Sequence, residues 1–65
     1  MGTTEEIRER YEYYKERIKD LSKEEKINWL EEVEWNIDMV DRWQREEYIC
    51  MAAIRKIKEE LKGEE

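Results

Sequence analysis

Histidine, proline and phenylalanine are absent from this chain, glycine occurs only at Gly2 and Gly63, and cysteine only at Cys50. Each gap removes a class of answer. Without histidine and with one thiol, a structural zinc site cannot be assembled, and no disulfide can brace a small core. A single thiol suits a reducing compartment. No Gly-rich loop is present to cradle a phosphate. Cys50 has no histidine to activate it, which argues for an inert, buried thiol and against an enzyme. No apolar run approaches the roughly 18 residues of a membrane span, and the charged start from Met1 to Glu6 does not resemble a secretory signal. The expected location is the cytoplasm, with no cofactor, no metal and no membrane partner.

Acidic residues outnumber basic ones, 19 to 13, giving a net charge of −6. That balance opposes binding to nucleic acid, to an anionic membrane surface or to an acidic partner, and admits a basic one. Charged residues make up 49% of the chain and its mean hydropathy is −1.22, values that alone would suit disorder. Three Trp, four Tyr and seven Ile, placed in register, argue for a folded chain. Ala, Glu, Lys, Leu and Arg supply 34 of 65 residues, which with a helical periodicity reads as all-α. At this length residues 1–65 form a single domain that buries a modest fraction of its surface, so a partner subunit would help to stabilise it.

In chain order, Thr3 or Thr4 can cap a first helix over about 4–20, with Glu5 and Glu6 at the positive end of its dipole. Ile7, Tyr11, Tyr14, Ile18 and Leu21 recur at helical steps and form one narrow apolar stripe, with Tyr13 off it. Ser22 followed by Glu25 is a capping box, so a second helix starts at Lys23, antiparallel to the first. From Ser22 to Lys62 there is no Gly or Pro. A heptad series of the coiled-coil kind passes through Trp29, Val33, Asn36, Val40, Trp43, Glu47, Cys50, Ile54, Ile57 and Leu61. The unbroken register favours a helical hairpin with one long second helix over 23–62. The alternative is a monomeric three-helix bundle with a break near 38–42, for which Asp41 and Gln44 offer a second box. Lys62 and Gly63 close the last helix, with Gly63 free to take a positive φ, and Glu64 and Glu65 follow as a frayed end.

The long-helix reading has a physical consequence. Such a helix is about 60 Å long, while the first spans only about 27 Å, so Trp43, Cys50, Ile54, Ile57 and Leu61 would lack cover within the chain. Self-association into a two-fold dimer is then expected. Asn36, a polar member of the seam, would pair with its own copy and fix the register.

Trp35, Met39, Ile49 and Ala53 fall on the side away from the seam, a candidate surface for another protein, because Trp and Met are enriched at interface cores. Glu31, Glu34, Asp38 and Asp41 form an acidic ridge whose oxygens suit magnesium. Glu9 and Glu12 with Asp38 and Asp41 loosely resemble the E-x-x-E and E-x-x-D pairs of the all-α nucleotide pyrophosphohydrolases. That resemblance implies a metal-dependent acidic site. The third acid here is Asp in place of Glu, and Glu9 and Glu12 lie off the apolar stripe. The expected function is therefore a non-enzymatic protein–protein interaction or oligomerisation module, an accessory or regulatory protein that binds a larger one. A designed helical mini-protein or binder is the alternative, for which charge density and capping boxes speak.

Overall fold

A computed structural model describes residues 2–63 and contains three helices: α1 (Gly2–Ile18), α2 (Lys23–Asp38) and α3 (Arg45–Gly63). No strand occurs among the described residues, and Glu64 and Glu65, expected to fray, lie outside them. None of the three helices is long and apolar enough to cross a membrane.

The first helix follows its stripe. Tyr14 and Ile18 are buried, and Ile7, Tyr11 and Leu21 pack against the same core. Because α1 already runs from Gly2, Thr3 and Thr4 lie within its first turn and do not cap it. At the first turn of the chain the expected box is formed: Glu25 N donates to Ser22 Oγ at 3.2 Å, and Ser22 N donates to Glu25 Oε1 at 3.1 Å. These reciprocal bonds satisfy two donors that a helix start leaves without partners.

The long second helix is not what the chain forms. Residues 39–44 interrupt it, and the three-helix arrangement replaces the hairpin. Helix α2 ends at Met39 in an ordinary right-handed conformation, with Met39 N donating to Trp35 O and Val40 N to Ile37 O. Trp43 then reaches back and its indole Nε1 donates to Ile37 O at 2.9 Å, a second donor on the carbonyl that Val40 N already bonds. The next helix starts three residues later than Asp41 and Gln44 suggested. Gln44 is its entry point, its N–H donating to Glu47 Oε1 at 2.8 Å and its carbonyl accepting from Tyr48 N. Glu46 and Glu47 sit in the first turn of α3, where carboxylates favour the helix dipole. Gly63 ends α3 as a helical residue with no positive φ.

Helix α3 carries the broadest buried face, comprising Ile49, Met51, Ala53, Ile54, Ile57 and Leu61, and both other helices pack on it. Helix α2 runs antiparallel to it. Glu31 pairs with Lys58 and Glu34 with both Lys58 and Arg55, while Val40 shares a cleft with Glu47, so partners on α3 fall in number as those on α2 rise. Helix α1 lies steeply across α3. Arg10 pairs with Glu46, whereas the adjacent Tyr11 bonds Glu60. At the helical rise those two glutamates stand about 21 Å apart along α3. In parallel or antiparallel packing, neighbouring α1 residues would reach α3 positions within a turn of each other. Leu30 of α2, fully excluded from solvent, closes the core with Ile54 and Ile57.

This arrangement removes the reason for seeking a second copy to cover the C-terminal half. Ile54, Ile57 and Leu61 belong to the same core as Tyr14, Ile18 and Leu30 of their own chain. The heptad seam folds back on itself at 39–44, and its two halves line one interior.

Candidate protein-docking surface

Around α2, at about 100° per residue, Leu30 and Ile37 point to the core, while Trp35 and Met39 lie on the opposite side, one turn apart. They are 61% and 63% exposed, respectively. Of the four residues expected to form a partner surface, these two are exposed. The other two are not: Ile49 is 8% exposed and Ala53 0%, because both belong to the buried face of α3. Their assignment presupposed one helical wheel through residue 40, and the break at 39–44 resets that phase.

Beside the Trp35 and Met39 ridge lies a cleft of about 230 Å³ between the last turns of α2 and the first turns of α3. Val33, Ile37 and Val40 form its α2 wall, Cys50 its α3 wall, and Tyr14 of α1 its floor. Its origin is the course of α1, which crosses α3 steeply and leaves α2 after the Ser22 turn, so α1 and α2 meet only weakly. Asn36 lines the cleft and is exposed, standing between it and the ridge on the α2 surface. Cys50, expected to be buried, is half-buried as a free thiol. Glu47 is also half-buried and, with Glu46, lines the same cleft.

The aromatic residues around the cleft are braced by edge-on contacts, the geometry that ring quadrupoles favour. Tyr14 meets Trp29 at 5.8 Å between centroids and Tyr13 at 5.6 Å. Trp43 meets Tyr48 at 5.1 Å. Burial first, and then the neighbouring Cys50 thiol, hold the Tyr14 phenol far above the usual tyrosine range. Tyr14 therefore stays neutral at the cleft floor.

Charge is unevenly spread. Residues 31–48 hold seven acids against Arg42 and Arg45, a net −5, whereas the rest of the chain holds 12 acids against 11 bases, a net −1. The same segment carries Trp35, Met39, Val40 and Tyr48, with Tyr13 the one exposed large hydrophobic outside it among the described residues. Some of this charge is neutralised from outside the segment. Lys58 Nζ lies 2.7 Å from Glu34 Oε1, Arg55 Nε 3.7 Å from Glu34 Oε2, and Arg10 Nη2 3.5 Å from Glu46 Oε2. Among the described residues no cation lies within ion-pair distance of Glu32, Asp38, Asp41 or Glu47.

The acidic ridge is thus divided, Glu31 and Glu34 turned to α3 cations and Asp38 and Asp41 at the helix end and connector. No group of three or more His, Cys, Asp or Glu among the described residues is arranged to hold a metal ion. A wider trough of about 580 Å³ lies between α1 and α3, lined by Glu6, Arg10, Arg45 and Glu46 among others. Opposed charges already meet there. Arg45 pairs with Glu6: Nη1 donates to Oε2 at 3.2 Å and Nη2 lies 2.6 Å from Oε1. The chain matches no protein-family model, no curated protein and no solved structure.

Proposed function

We propose that this chain acts by binding another protein, through the outer face of α2 and the connector that follows it, and carries out no chemistry of its own. The observation that carries this reading is the exposure of Trp35 and Met39, one turn apart on the side of α2 that the core does not use. The fold has no need of these side chains. Trp and Met are over-represented at the centres of protein interfaces, where a large, adaptable apolar surface is desolvated. The partner is a different protein and not a second copy, because a copy would set a net charge of −5 in residues 31–48 against the same charge.

The test separates binding surface from core. A Trp35→Ala, Met39→Ala double variant is expected to keep the stability of the parent to within about 0.5 kcal/mol, the range typical of surface substitutions. Its retention on a hydrophobic-interaction column should fall. Truncation of a core Trp would instead cost about 3–5 kcal/mol. A loss of that size, or unchanged retention, would contradict the proposal.

A further inference from the structure

We infer that the partner element is a basic amphipathic helix that inserts an apolar side chain into the cleft between Val33, Val40 and Cys50 and sets Lys or Arg against the acids around it. The inference rests on the docking reading above and names the chemistry of its occupant. Three observations support it. The cleft is walled by Val33, Ile37, Val40 and Cys50, and its volume of about 230 Å³ lies below the roughly 300–1,000 Å³ of small-molecule sites. It therefore suits a side chain better than a cofactor. Glu46 and Glu47 lie in its lining, and Asp38 and Asp41 stand nearby in sequence with no cation among the described residues in reach. Finally, the Trp35 and Met39 ridge runs beside the cleft with Asn36 on the surface between them, so knob and hole lie side by side along α2.

A helix matches this relief. Its side chains at i, i+3 and i+4 present one apolar face that can straddle ridge and cleft, while flanking positions carry cations to the rim. An acidic helix would meet like charges, and an anionic membrane surface would be repelled. A second copy would bring the acidic segment to itself.

The probe is a short helical peptide built only of Leu and Lys, with Leu on one face. A control peptide has the same composition in an order that breaks the face. Titration calorimetry is run with the full chain and with three variants at exposed positions, Val40→Lys, Asn36→Lys and Trp35→Ala. The expected result is binding of the ordered peptide and weakening of at least about tenfold with the scrambled peptide and with each variant. Thermal melts of all three variants should match the parent. Equal binding of the scrambled peptide would mean that charge alone acts, and would overturn the inference. No binding of the ordered peptide would overturn it as well. Weakening by Trp35→Ala without weakening by Val40→Lys or Asn36→Lys would leave the docking surface standing and remove the cleft. If none of the three variants weakened binding, both readings would fall. A mass that doubles with concentration would make a second copy the occupant and refute the basic helix.

Discussion

Tyr14 is where the three helices converge. It is buried in α1, meets Trp29 of α2 edge-on, and lines one cleft with Cys50 of α3. Because burial first, and then the neighbouring Cys50 thiol, raise its pKa, the folded chain keeps a proton that the unfolded chain releases near pH 10. The sign follows from proton linkage. Tyr14 contributes fully below about pH 10, and this stability is lost as the pH climbs toward the folded value. Replacing it with Phe should flatten the fall of the urea midpoint between neutral and strongly alkaline pH. Some slope remains, because Tyr11 is shifted upward as well, chiefly by its hydrogen bond to the Glu60 carboxylate and then by desolvation. A Tyr14→Phe variant that lost stability with alkali as steeply as the parent would refute this role.

At the scale of the elements, α1 and the start of α2 were legible because their signals are local. The stripe from Ile7 to Leu21 and the Ser22–Glu25 box each act within a few residues, and both form as read. The end of α2 was legible only as the alternative with a break near 38–42, since 39–44 contains no Gly or Pro and none of the described residues has a positive φ. The terminator is instead a side-chain bond back across the connector, Trp43 Nε1 to Ile37 O, supported by the Gln44–Glu47 contact. Gln followed three residues later by Glu was the available signal. It was hidden by a heptad register that happens to continue across the connector. The same continuity explains the mixed outcome for the candidate site. Trp35 and Met39 lie before the break and are exposed, whereas Ile49 and Ala53 lie after it and are rotated into the core. Replacing Trp43 by Phe keeps a ring beside Tyr48 but removes the donor, and should cost about 1 kcal/mol of stability. A urea midpoint unchanged by that substitution would show that the indole bond does not hold the turn.

For the molecule as a whole, folding back at 39–44 decides everything else. It places Ile54, Ile57 and Leu61 inside their own chain, leaves the α2 outer face uncovered, and opens the cleft where α1 and α2 diverge. It also collects most of the net charge beside the exposed Trp and Met, so surface chemistry and fold point to one end of the bundle. A straight helix would separate residues 34 and 58 by about 36 Å, whereas here Lys58 Nζ lies 2.7 Å from Glu34 Oε1. Zero-length carbodiimide cross-linking at low concentration, read by mass spectrometry, compares the two directly. The fold described here predicts a Lys58–Glu34 link within a species of one chain's mass, and a link found only in species of twice that mass, or not at all, would contradict it.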